Sequence, residues 1–167
     1  MTFIRSAESK DAQAIQDLLL TTFNTSAEAD LVDRLKKTSF YDRELSFVAI
    51  NEDKVIGYIL FSRVVIKNNK FTFPGLILSP YAVSPEFQNQ GIGRLLIETG
   101  IKKCNYLGYK IVFATGNDPY FSHFGFKSLD NYELIPTNKN KDIPLVYVLN
   151  LDAEDIKGTI HYPIEFA

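Results

Sequence analysis

Residues 82–96 read Ala82-Val83-Ser84-Pro85-Glu86-Phe87-Gln88-Asn89-Gln90-Gly91-Ile92-Gly93-Arg94-Leu95-Leu96, and the rest of the chain is read outward from them. The stretch leaves the end of an apolar strand, crosses a polar loop with two glycines and enters an amphipathic helix. A strand-to-helix junction of this kind presents backbone N–H groups that have no partner inside the helix. The helix dipole adds partial positive charge at the same point, and glycine lets a bulky anion come close to the backbone. The chemistry on offer is a seat for phosphate, most naturally a pyrophosphate. Two familiar phosphate loops do not fit. A P-loop closes on Gly-Lys-Ser/Thr, whereas Gly93 is followed by Arg94-Leu95. A dinucleotide fingerprint needs a third glycine where this chain has Leu96. What remains is Gln-x-x-Gly-x-Gly, from Gln88 to Gly93. Taken without its surroundings, the glycine pair fits a tight turn equally well, and Arg94 reads either as a phosphate contact or as a solvated charge.

Downstream of the loop, Ile92, Leu95, Leu96, Cys104 and Leu107 recur at helical spacing, with Glu98 and Lys102 as an i,i+4 pair in the favourable order. Gly108 is placed to end this helix in a left-handed conformation. Tyr109 to Ala114 is a buried-type strand, so strand, helix and strand imply a parallel crossover. A short helix around Pro119 to Phe124 and a strand from Leu145 to Leu151 follow; Asp152 to Ala167 has little periodicity and reads as a packed tail. Upstream, Thr2 to Arg5 reads as a strand. Ser9 is a candidate cap for a helix carrying Ala12, Ile15, Leu18 and Leu19, and Thr25 with Glu28 forms a capping box for the next, with Leu31, Val32 and Leu35. Strands at 45–50, 55–66 and 76–83 are separated by polar turns at 51–54 and 67–70. Pro80 lies inside the last of them; with no N–H to give a ladder, it marks an edge or a bulge. The fold class is α/β (α+β), with a mixed sheet.

The chain has 167 residues, 46% hydrophobic and 23% charged, which fits one domain spanning 1–167 with a core of its own. Its single cysteine, Cys104, makes no intrachain disulfide and sits on the apolar stripe of its helix, a packing position. With no apolar signal core and no apolar run long enough for a bilayer, the expected location is the cytoplasm and no membrane partner is expected. A net charge of −2 gives no general pull toward nucleic acid or anionic membrane. Two histidines and one cysteine, far apart, suggest no metal site.

Gln88 to Gly93, in its setting of an Ala-Val strand end and an amphipathic helix, resembles the pyrophosphate loop of the GNAT (GCN5-related) N-acetyltransferases, whose pattern is Arg/Gln-x-x-Gly-x-Gly/Ala. Tyr120-Phe121-Ser122-His123-Phe124-Gly125-Phe126 is similar to a second landmark of that family, an aromatic pair followed by Phe-Gly-Phe. The tail from Gly158 to Phe166 resembles the ending of one bacterial subgroup. The resemblance implies a largely antiparallel twisted sheet flanked by helices, with a splayed central strand pair that admits the pantetheine arm of acetyl-CoA. It implies that Ala82 and Val83 face the pantetheine and thioester. It also implies that Gln88, Asn89, Gln90, Gly91, Ile92, Gly93 and Arg94 hold the pyrophosphate, that Asn117 and Phe121 line the co-substrate, and that no metal takes part. The implied activity is acetyl transfer to a primary amine of a small molecule, an amino acid or a protein. Homodimers are common in that family.

In the family a neutral amine attacks the thioester, and a backbone N–H, here that of Val83, holds the oxyanion. A tyrosine four residues before the glycine of Phe-Gly-Phe commonly protonates the thiolate. That position is Phe121, which has no proton to give. Tyr120 is its neighbour, but adjacent helical residues point about 100° apart; Tyr81 and water are the other sources. General acid help is worth about 10²–10⁴ in rate, so an enzyme lacking it is slowed, and the alternative is a CoA-binding sensing module with little transferase activity. No general base stands out. The acceptor side is assigned to the N-terminal helices, the loop from Thr38 to Arg43 and the tail, where Phe40, Tyr41 and Tyr162 fit either lining or packing.

Overall fold

Unbroken buried runs form the middle of the sheet, residues 46–50, 56–62 and 111–114 among them. In the computed structural model, which describes residues 1–115, 119–137, 145–153 and 155–166, nine strands form a mixed sheet. The strands are β1 (Thr2–Ser6), β2 (Ser46–Asn51), β3 (Lys54–Lys67), β4 (Thr72–Val83), β5 (Ile111–Ala114), β6 (Lys127–Ser128), β7 (Leu134–Pro136), β8 (Leu145–Val148) and β9 (Gly158–His161). The helices are α1 (Ala12–Phe23), α2 (Ala27–Lys36), α3 (Ile92–Tyr106) and a single turn, α4 (Pro119–Ser122). The chain gathers into two compact units, residues 1–61 with 79–104 and residues 62–78 with 105–167; β3 and β4 each contribute to both. Among the described residues no helix is long and apolar enough to cross a membrane.

In the first unit β1 pairs antiparallel with β2, Phe3 opposite Ile50, and β2 with β3, Val48 opposite Tyr58. Glu52 and Asp53 take positive φ in the turn between β2 and β3, as the polar run at 51–54 predicts. Ile15, Leu18 and Leu19 of α1 and Ala29, Val32 and Leu35 of α2 are buried. The caps differ from the sequence reading. Ser9 opens a 3-10 turn rather than α1, and Asp11 accepts from the Glu8 N–H at 2.7 Å. Asp11 is buried and takes both Arg5 Nη groups, at 2.7 and 2.9 Å. That guanidinium holds its carboxyl below the usual range, outweighing the desolvation that raises it. The N-cap of α2 is Ser26, while Thr25 Oγ1 contacts Glu28 at 3.2 Å. On α3 the ion pair is Arg94–Glu98, Nε to Oε1 at 2.8 Å.

Two glycines let α3 lie against the sheet. A Cβ at Gly57 would come within 2.9 Å of the Leu96 side chain, and one at Gly100 would overlap the ring of Phe61. Phe61 is fully buried, so its ring has nowhere to go. Gly100→Ala is therefore expected to cost about 3 kcal/mol through overpacking, despite alanine's better helix propensity; the midpoint of urea unfolding measures it.

In the second unit β4 pairs parallel with β5 (Leu76 opposite Val112, Leu78 opposite Ala114), as the strand–helix–strand pattern predicts, and β8 is antiparallel to both β5 and β6. The left-handed Gly108 ends α3's C-terminal run. The tail, read from the sequence as a packed segment of little periodicity, also contributes a strand: β9 pairs antiparallel with the end of β3 and parallel with β7. Gly158 is required there, because at φ +148° a Cβ would collide with the Lys67 carbonyl.

Candidate active site

The first unit carries the loop singled out by the sequence. β4 ends at Val83, a 3-10 turn spans Pro85–Phe87, and α3 starts at Ile92. Asn89 and Gly91 take left-handed φ values of 63° and 82°, which fold the loop back before the helix. The first return bond of the helix is Leu95 N–H to Gly91 C=O, at 3.1 Å. The N–H groups of Ile92, Gly93 and Arg94 therefore precede the helical ladder. A Cβ at Gly91 would meet nothing within 4 Å. Ile92 and Gly93 are buried; Gln88, Asn89, Gln90, Gly91 and Arg94 are exposed.

The peptide groups around Val83 have a defined direction. Ser84 N–H donates to Ile56 C=O on β3 at 2.8 Å, and Ala82 O would stand 3.4 Å from a Cβ at Gly57, also on β3. The Ala82–Val83 bond is trans, so its N–H points opposite to its C=O. Val83 thus turns its N–H and its C=O to the edge of β4 away from β3. The parallel ladder with β5 stops at Leu78, whereas β4 runs on to Val83. Pro80 lies two residues beyond that last pair. The Val83 C=O is taken by Gln88, whose Nε2 donates to it at 2.9 Å.

The second unit carries the other landmark. Phe121 is 6% exposed, and its ring stands edge-on to Phe126 at 5.5 Å. Phe126 in turn contacts Tyr147 at 5.3 Å. Tyr120 is half-buried and lies edge-on to Phe124 at 5.1 Å. His123 is exposed. Burial pushes the Tyr162 phenol up to about 12, so it is a proton donor, not a base, at neutral pH. Asn117 lies outside the described residues. Cys104 is fully buried and its thiol is pushed up to about 12 by burial, which removes it as a nucleophile. Among the described residues no group of His, Cys, Asp and Glu is placed to hold a metal.

Three contributors escaped the sequence reading. Gly57 and the Ile56 carbonyl orient the peptides on both sides of Val83, and the Gln88 side chain fixes its carbonyl. A glycine inside an apolar strand is a sign that another backbone comes close, and Gly57 carried that sign.

A β-α-β crossover with a glycine-containing turn at the start of its helix is an arrangement that seats phosphate in many folds. The chain matches the acetyltransferase (GNAT) family over residues 12–126. It is 37% identical to the N-acetyltransferase YjhQ of Escherichia coli strain K12 over 120 residues, covering 72% of this chain and 66% of YjhQ. It is 34% identical to the N-acetyltransferase YhbS of the same strain over 125 residues, covering 74% of this chain and 72% of YhbS. The crystal structure of E. coli YhbS in complex with CoA superposes with a TM-score of 0.89 at 31% identity, covering 99% of this chain and 91% of that one. A Brucella melitensis GNAT acetyltransferase in complex with acetyl-CoA superposes with a TM-score of 0.81 at 25% identity, covering 100% and 99%. The chain belongs to the GNAT acetyltransferase family.

Proposed function

We propose that the protein is an N-acetyltransferase that moves an acetyl group from acetyl-CoA directly to a primary amine of a small molecule, an amino acid or a protein. The observation that carries this reading is the segment from Val83 to Arg94. It has an outward N–H at the strand end, two left-handed residues in the loop, and a helix start whose first return bond is Leu95 N–H to Gly91 C=O. The CoA and acetyl-CoA complexes of the two related structures support the same choice of co-substrate.

In this reading the N–H groups at 92–94 and the positive end of α3 hold the pyrophosphate. Ala82 and Val83 lie along the pantetheine and thioester. The amine nitrogen attacks the carbonyl carbon, and the Val83 N–H stabilises the negative oxygen that forms. The C–S bond then breaks, the amine loses one proton to solvent and the thiolate gains one, leaving the amide and free CoA. Arg94, tied to Glu98 by an exposed pair, adds positive charge beside the phosphates. Phe121 supplies no proton, so a thiol of ordinary pKa, about 8.5 for a cysteine-like group, depends on water or on a neighbouring phenol.

The test is release of free thiol from acetyl-CoA across a panel of amines, amino acids and peptides. Acceptor-dependent release is expected, and the responding acceptors name the substrate class. The buried, donor-free ring of Phe121 favours one second reading, a CoA-binding sensing module; it predicts tight CoA binding with no acceptor-dependent thiol release. If ATP stabilised the protein and CoA did not, both readings would be lost.

A further inference from the structure

We propose that the side chain of Gln88 is a positioning group for the oxyanion donor: it ties the phosphate loop to Val83 and so sets the Val83 N–H. The inference rests on the reading of that N–H given under the proposed function.

In an extended strand the N–H and C=O of one residue point to the same edge. At Val83 both face away from β3, side by side. The C=O would have no strand partner there, and Gln88 Nε2 occupies it at 2.9 Å. The two peptide planes that meet at Val83 are thereby held from both edges. β3 grips them through Ser84 N–H on Ile56 C=O at 2.8 Å and through the close approach of Ala82 O to Gly57. Gln88 grips them from the other side. Without it, Val83 would turn about its φ and ψ on one set of contacts alone, and its N–H would turn with it.

The tie is also a coupling. Only a 3-10 turn separates Val83 from Gln88, closed by Phe87 N–H on Ser84 C=O at 2.9 Å, so the side-chain bond makes a small closed ring. Gln88 stands three residues before Gly91, where the loop turns toward the phosphate donors. An anion that fixes the loop therefore fixes Gln88, and Gln88 fixes the carbonyl next to the oxyanion donor. A glutamine serves because its amide donates; an arginine at the same place donates too, whereas a glutamate oxygen would repel the carbonyl.

The experiment compares wild type with Gln88→Ala, Gln88→Glu and Gln88→Arg in steady-state transfer, CoA binding and the amide resonance of Val83. Losing one positioning hydrogen bond is expected to lower kcat roughly tenfold in the Ala and Glu variants, with the Kd for CoA changed less than about twofold, and Gln88→Arg is expected to restore most of kcat. In the ligand-free protein the Val83 amide resonance should move in Gln88→Ala relative to wild type and return toward the wild-type position in Gln88→Arg. A tenfold weaker Kd at unchanged kcat makes Gln88 a phosphate ligand and overturns the proposal. So does failure of Gln88→Arg to recover kcat in a protein of normal melting temperature. Should wild type transfer acetyl to nothing, the transferase reading falls first. The tie is then judged on the Val83 amide alone, and a resonance identical in wild type and Gln88→Ala overturns it.

Discussion

Gly91→Val is expected to weaken CoA binding about 100-fold while costing the fold about 2–3 kcal/mol. Gly91 sits at φ +82°, a region that costs an ordinary L-residue about 1–2 kcal/mol and a β-branched one more. The space around it is empty, so a valine there meets no clash that would spread into the core. Two outcomes are open to the loop, and both harm the site. Either it keeps its shape and places a branched side chain in front of the phosphate donors, or it relaxes to a negative φ and re-aims the N–H groups of Ile92 and Gly93. Hydrogen bonds to a charged group contribute about 1.5–3 kcal/mol each, so losing two of weaker grade reaches the 2.7 kcal/mol or so that a 100-fold change in Kd requires. Titration calorimetry with CoA and a thermal melt on the same variant separate affinity from stability. Equal affinity in the variant and wild type would sink the phosphate-loop assignment.

What was legible in the sequence was whatever its own neighbours encode. The loop from Gln88 to Gly93 announces itself because strand end, glycines and helix start are contiguous, and the parallel crossover follows from the order of elements alone. The end of α3 was readable because a left-handed glycine after an apolar stripe is a local signal. β9 was not readable: four residues carry too little period-two pattern, and what makes them a strand is the end of β3, some ninety residues earlier. The caps missed for a different reason. Glu8, Ser9 and Asp11 are all capping types within one turn, and the choice among them was made by Arg5 on β1, which buries Asp11 in a two-pronged pair. Gly57 and Gly100 look, on propensity, like weak points in a strand and a helix. Their reason lies on other elements, Leu96 for one and Phe61 for the other. At the site the same division holds. The course of the loop follows from contiguous residues, whereas the Gln88 side chain depends on how the 3-10 turn at 85–87 swings it back to Val83.

Phe121→Tyr is expected to raise kcat for acetyl transfer roughly 10- to 100-fold, if delivery of a proton to the leaving thiolate limits the wild-type rate. Position 121 is where the family resemblance places a tyrosine acid, and the change adds one hydroxyl to an existing ring. The ring stands edge-on to Tyr120 and Phe126, at 6.3 and 5.5 Å. Burying a hydroxyl without a partner costs about 1–3 kcal/mol, which a somewhat lower melting temperature would register. General acid catalysis is worth about 10²–10⁴ at most, and a transplanted acid without its evolved surroundings should recover only the lower part of that range. The pH profile distinguishes this gain from improved binding. A phenol must be protonated to act, so the variant's kcat should fall as pH approaches the ordinary tyrosine value of about 10, a descending limb absent from wild type. An unchanged kcat, with CoA binding intact, means that proton delivery is not the slow step or that another group already performs it. Tyr120→Phe then decides between these: a loss of at least tenfold in kcat at constant Kd for CoA assigns the proton to the half-buried neighbour, and no loss leaves the thiolate to depart on its own acidity.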